Sequence, residues 1–169
     1  LQELKSSFIR MKGISLLLVL FSMILTSCGN QPHEILIEAE SFGEKGGWVV
    51  DPQFVEQMGS PYLLAHGLGF PVKNAKTTVN LPSEGKYNIW VRTKNWADGE
   101  WEAPGRFRLL INGEELEELL GTGDEKWRWQ YAGSKSIKGT SAVLELKDLT
   151  GFEGRCDAVY LSTVKKAPP

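Results

Sequence analysis

The 169-residue sequence predicts an all-β protein, a β-sandwich. Three observations carry this. Apolar and polar residues alternate in short runs, the period of a strand with one buried face. Turn residues separate these runs at short intervals. Helical periodicity is nearly absent, so stacked sheets rather than a helical layer must bury the apolar faces.

The first run is Ile35-Leu36-Ile37-Glu38-Ala39-Glu40, followed by Tyr62-Leu63-Leu64-Ala65 and Thr77-Thr78-Val79-Asn80-Leu81. In Tyr87-Asn88-Ile89-Trp90-Val91-Arg92-Thr93 the odd positions form a core face, with Trp90 and Arg92 on the opposite one. Phe107, Leu109 and Ile111 repeat the pattern, and Asn112-Gly113 then supplies a two-residue hairpin turn. Glu114 to Leu120 brings Leu116, Leu119 and Leu120 onto one helical face, but reads equally as a strand followed by a turn. Val143 to Leu146 and Ala158 to Thr163 complete the set. Between the runs lie Pro82 with Gly85, Pro104-Gly105, Gly121 with Gly123, and Gly151 with Gly154.

The N-terminal region reads as targeting rather than fold. From Ile14 to Leu25 the chain is almost wholly apolar, after Lys12 and before Leu25-Thr26-Ser27-Cys28. That run is short for a membrane span and has the layout of a signal peptide. Its ending resembles a bacterial lipobox, whose cysteine becomes the lipidated first residue; an ordinary secretory signal with a chance cysteine is the alternative. The expected organisation is therefore 1–10 upstream of the true start at Met11, 11–27 a lipoprotein signal peptide, and 28–33 a tether. A β-sandwich binding domain follows over 34–163, and 164–169 starts a C-terminal linker. The expected location is the bacterial cell envelope, periplasmic or cell-surface, with a membrane anchor through Cys28. Once Cys28 is lipidated, Cys156 has no partner in the chain and reads as a buried, inert thiol.

Trp96, Trp101, Trp127 and Trp129 fall in stretches that read as loops. An indole is a flat, rigid plate with one N–H donor, suited to stacking on the apolar face of a sugar ring or a base. The formal charge of −2 and the interspersed acids argue against nucleic acid. Asp98, Glu100, Glu102, Asp124 and Glu125 around the tryptophans would repel phosphate. Asp98 beside Trp96 and Trp101 suits a sugar-binding loop, because carboxylates accept from hydroxyls while rings stack; acids that merely face water are the alternative. No catalytic constellation stands out. The loop carboxylates lack a buried partner acid of the kind glycosidases use. Gly121-Thr122-Gly123 is not a phosphate loop, and His66 reads as a loop residue.

Several motifs then occur in a familiar order: Glu38-Ala39-Glu40, Gly85-Lys86-Tyr87-Asn88-Ile89-Trp90-Val91-Arg92, Ile111-Asn112-Gly113, Trp127 after a glycine-containing loop, and Asp157-Ala158-Val159-Tyr160-Leu161. Together they resemble carbohydrate-binding modules of families 6 and 35, over about residues 34 to 163. The resemblance implies a galactose-binding-like jelly-roll with a ligand cleft among the loops at one end. It implies a sugar-stacking role for Trp127, and Trp129, two residues later on the same face of an extended run, is a second candidate plate; a cover for the edge of the core is the alternative for both. It also implies a structural calcium ion on Glu38, Glu40 and Asp157, whose hard oxygen donors suit that ion. Ordinary carboxylates paired with Lys or Arg are the alternative, with Arg92 and Arg155 as partners. The Trp96 loop, Pro104 to Phe107, and Asp148 to Arg155 depart from the usual pattern.

The function expected is non-catalytic binding of polysaccharide or oligosaccharide for an attached or partner enzyme. The rival is a structural accessory domain that binds no sugar and packs against a downstream catalytic domain (a FAD-dependent oxidoreductase, a glycoside hydrolase or a lyase).

Overall fold

The computed structural model describes residues 31–97 and 102–169. The strands are β1 (Glu34–Glu38), β2 (Val49–Asp51), β3 (Tyr62–His66), β4 (Ala75–Asn80), β5 (Gly85–Thr93), β6 (Phe107–Ile111), β7 (Glu114–Glu115), β8 (Arg128–Ile137), β9 (Ser141–Asp148) and β10 (Phe152–Ser162), with one short helix, α1 (Val55–Met58). They form the two antiparallel sheets of a β-sandwich. One runs β2-β3-β10-β5-β8 with β1 also beside β10, and the other runs β4-β9-β6-β7. Residues Pro32–Pro169 make one compact unit.

Strand β10 organises the larger sheet because its eleven residues outrun each neighbour on one side. Its first half pairs with β3 (Arg155 opposite Leu64) and its second with β1 (Ala158 opposite Glu38). Along the other side it pairs with β5, and the register shifts between Cys156 and Ala158. Asp157 is therefore the extra residue of a bulge, placed where β1 and β3 meet end to end. The bulge also explains why Cys156 and Val159, three apart, both enter the core.

The alternation read from the sequence holds in β5 and β6. Tyr87, Ile89 and Val91 face Phe107, Leu109 and Ile111 across a core that Leu144, Leu146 and Leu161 fill. Each such side chain contributes about 1.5–3 kcal/mol on burial. Asn112 and Gly113 take φ of 53° and 80°, and Ile111 pairs with Glu114 across them. That is the two-residue turn expected, with both central residues left-handed.

Glu114–Glu115 is a short strand followed by a turn, the second of the two alternatives for that stretch. Two features depart from the sequence reading. Glu40 lies in a 3-10 turn over Ala39–Ser41, not on the strand with Glu38, because β1 ends at Glu38. Trp129 belongs to the ten-residue strand β8 rather than to a loop. Cys156 is buried, and its thiol is pushed well up by burial and by the neighbouring carboxylates.

Candidate functional site

Aromatic side chains gather in three groups rather than one, two on loops between strands and one on the outward face of the larger sheet. The first is built on the segment between β2 and β3. Asp51 Oδ1 accepts from the Gln53 amide at 2.8 Å and starts the turn that becomes α1. The Tyr62 hydroxyl donates to Asp51 Oδ2 at 2.7 Å. Burial, then this bond, push the Tyr62 phenol up to about 12. The Trp127 ring stands edge-on to Tyr62 at 5.0 Å and to Phe54 at 5.8 Å. Trp127 is half-buried, and its Nε1 is enclosed without a hydrogen-bond partner. It is thus the inner wall of an aromatic corner, not a free-standing plate. The Lys94 ammonium lies 4.6 Å from the centre of the Phe54 ring. Burial, then the Arg155 charge, hold that ammonium below its usual range.

The second group lies on the outward face of the larger sheet. Trp129 stands opposite Arg92 on β5, with Tyr160 6.0 Å away. Trp90 links Tyr131 at 5.2 Å and Tyr160 at 6.1 Å into a row across three strands. Among the described residues Trp129 makes no ring contact with the Trp127 corner.

Trp96 belongs to the third. It is 39% exposed, and its Nε1 donates to the Phe152 carbonyl at 2.8 Å. The Arg155 guanidinium lies 5.9 Å from its ring centre. Beside it Leu68, Phe70 and Phe152 are all exposed, an apolar end that no single run of sequence marks. Arg155 also donates to Glu153 Oε2 at 2.9 Å. Trp101, Asp98 and Cys28 lie outside the described residues.

Glu38, Glu40 and Asp157 share one neighbourhood at the Asp157 bulge. Asp157, 1% exposed, accepts from Ser60 Oγ at 3.3 Å, and its Oδ2 lies 3.3 Å from Arg92 Nη1. That ion pair is not aligned as a hydrogen bond, so Asp157 Oδ2 and Glu40 Oε2 are both buried acceptors without a donor. Burial raises the Asp157 carboxyl to about 6; Arg92 opposes the rise, while Glu38 and Glu40 add to it. Glu38 is raised by burial and by Glu40. One guanidinium thus faces three carboxylates, a charge imbalance a hard cation relieves. Among the described residues no three Asp, Glu, His or Cys side chains are gathered closely enough to enclose a metal unaided. The two orphaned oxygens fit calcium, and further donors from backbone carbonyls or water are needed to complete its usual six to eight.

Phe54, Tyr62 and Phe152 are the site residues that sequence reasoning missed. Phe152 carried a usable signal, since an aromatic residue directly after a loop glycine is as suspect as Trp96.

No family model matches the chain, and no curated protein matches it. Solved structures do. The mannanase of Podospora anserina, which joins a catalytic domain to a family 35 module, matches with a TM-score of 0.61 and 18% identity over 81% of this chain. This chain covers only 29% of that enzyme. A family 35 carbohydrate-binding module from Clostridium thermocellum matches with a TM-score of 0.60 and 18% identity, over 76% of this chain and 96% of the module. The C-terminal family 6 module of a marine laminarinase from Zobellia galactanivorans gives 0.58 and 19%, over 77% and 99%. Over Pro32–Pro169 the chain carries the β-sandwich fold of carbohydrate-binding modules of families 35 and 6.

Proposed function

We propose that this domain binds carbohydrate at its loop end and performs no chemistry on it. The observation that carries this is the concentration of partly exposed aromatic rings on those loops, where Trp127, Phe54 and Trp96 flank Arg155 and Lys94. Rings give sugar faces an apolar platform, and the charged groups between them hold hydroxyls. The likeness in fold to the family 35 and 6 modules supports the same reading. On it, Cys28 carries a lipid, the domain sits outside the cytoplasm, and it holds polysaccharide for an attached or partner enzyme. The enclosed Trp127 Nε1 favours the rival, a structural domain that packs against a catalytic one.

Affinity electrophoresis of the full chain in gels of xylan, galactomannan or laminarin separates the two. Retardation in at least one gel is expected, and Trp127→Ala is expected to weaken it by about tenfold, because the corner with Phe54 and Tyr62 loses its inner wall. Absence of retardation in every gel would leave only the packing role.

Calcium at Glu38, Glu40 and Asp157 is part of the proposal. When bound, it neutralises carboxylates that one arginine does not balance, and ties the end of β1 to the middle of β10. Thermal unfolding in excess calcium is expected to exceed that in EGTA, by about 3 kcal/mol at a hundredfold excess over Kd. Glu40→Gln is expected to shrink that difference. Equal unfolding temperatures in calcium and EGTA would mean that Arg92 is the sole counter-ion.

A further inference from the structure

We propose that the free edge of β8, with the groove that separates it from β7, takes an added strand: an extended polypeptide segment carrying lysine or arginine at alternate positions. This surface is separate from the aromatic loops, and it stands whether or not those loops hold sugar.

Unpaired N–H and C=O groups at a sheet edge are a template for another strand, so open sheets blunt their edges. Here β1, β2 and β7 do so by running only five, three and two residues. The six residues of β4 are covered partway: the Glu44 amide donates to Lys76 O at 3.0 Å, and the Lys76 amide returns the bond at 2.7 Å. Strand β8 is different. It runs ten residues, pairs with β5 alone and contains no proline. Its one lysine, Lys135, is tied to Glu114 instead of standing free to guard the edge. In an antiparallel ladder roughly every second residue turns its N–H and C=O away from the partner strand. Among the described residues, none of these groups on β8 bonds to other backbone. No atom lies within 4 Å of where a Cβ on Gly133 would stand, so a second backbone can come close at the middle of the edge.

Charge selects the occupant. The groove is lined by Glu115, Glu117 and Glu118 on one side and by Tyr131 to Lys135 on the other, with Leu116 and Ala132 buried within it. Glu115 already has Lys147 and Arg108. Glu117 and Glu118 are exposed and make no ion pair among the described residues. Side chains alternate along a strand, so one set from the newcomer meets these two carboxylates and the other lies towards Trp129 and Tyr131. The chain's own tail shows what that outer flank accepts, since the Lys165 ammonium lies 4.7 Å from the centre of the Tyr131 ring. Cationic side chains therefore suit both flanks, and an acidic strand suits neither. Main-chain bonds supply the attachment, and the alternate side chains supply the selection.

The probe is a capped eight-residue peptide alternating lysine with threonine, titrated calorimetrically into the full chain. It is expected to bind and to slow hydrogen exchange at amides within 128–137 while leaving β2 unchanged. The same peptide N-methylated throughout keeps its charge but cannot form the ladder, and is expected to bind about tenfold more weakly or worse. Glutamate in place of lysine is expected to abolish binding. The double variant Glu117→Lys with Glu118→Lys, at exposed positions, is expected to lose about tenfold while unfolding at the wild-type temperature. Failure of the lysine peptide to bind overturns the inference. So does equal binding of the N-methylated or glutamate peptide, or binding that ignores the double substitution. None of these results bears on retardation by polysaccharide, so the two proposals fail separately.

Discussion

Titrated upward from about pH 4 to about pH 7 in EGTA, the protein is expected to lose about 2–3 kcal/mol of stability, and Asp157→Asn to abolish most of that loss. The Asp157 carboxyl moves from 3.8 to about 6 on folding, because the β10 bulge takes it out of water beside Glu38 and Glu40. A raised folded-state value means that the native form holds its proton after the unfolded chain has released one. Stability is then fully present below about 3.8 and falls as the pH rises through 6. Glu38, raised for the same reasons, adds to the slope. Glu145 works the other way at the acid end: the Asn74 amide holds it below 4.5, so its contribution is lost as the pH falls through its lowered range. Arg92→Ala removes the one cation beside Asp157 and is expected to cost about 1–1.5 kcal/mol near pH 7, since a carboxyl that titrates near 6 escapes the lost charge by taking up a proton. Near pH 5 the cost is expected to be smaller, since Asp157 is then mostly protonated. Chemical unfolding at several pH values reads all of this; a flat profile, or an Arg92→Ala cost independent of pH, rules it out. Calcium in place of EGTA is expected to reverse the slope, because only ionised carboxylates bind it.

Much of the sandwich was legible because β5 and β6 carry apolar residues at every second position (Tyr87, Ile89 and Val91; Phe107, Leu109 and Ile111) and the Asn112-Gly113 turn joins β6 to β7. Strand β8 was not, for a physical reason. Its outward positions carry Trp129 and Tyr131, while its inward ones carry Gln130 and Ala132, which inverts the usual pattern. Gln130 can point inward because loop groups receive its amide: Leu119 O at 2.6 Å and Thr122 Oγ1 at 3.1 Å. Alternation cannot report a polar residue whose partner lies elsewhere in the chain. The bulge at Asp157 was hidden for a similar reason, since a one-residue insertion shows only when the partner strand is known. At the loop end the tryptophans marked the right region but not its construction. Trp96 finds its hydrogen-bond partner 56 residues away, and Trp127 is held by Tyr62 and Phe54 from the far side of the chain. Local composition shows that a ring is present; only the fold shows whether its face or its edge meets water.

Phe107→Ala is expected to cost about 3–5 kcal/mol, a large share of the roughly 5–15 kcal/mol that holds a domain together. Phe107 is fully buried at the start of β6, and Trp48 meets its ring edge-on at 5.5 Å. Its amide donates to the Leu120 carbonyl at 3.2 Å, and the Leu120 amide returns the bond at 2.9 Å. Gly121 and Gly154 lie against the ring so closely that a Cβ on either would sit 3.4 or 3.5 Å from Phe107 Cδ1. Those glycines belong to the loop that leads to Trp127 and to the strand start that carries Phe152 and Arg155. The ring is therefore the floor on which both parts of the candidate site rest, and the cavity left by its loss lies directly beneath them. Hydrogen exchange in Phe107→Ala is expected to quicken first at the amides of 118–123 and 152–155, ahead of β4 and β9. Phe107→Leu, which keeps most of the volume, is expected to retain most of the stability. Exchange that quickens uniformly through both sheets would show that Phe107 serves the sandwich as a whole and gives the loop end no particular support.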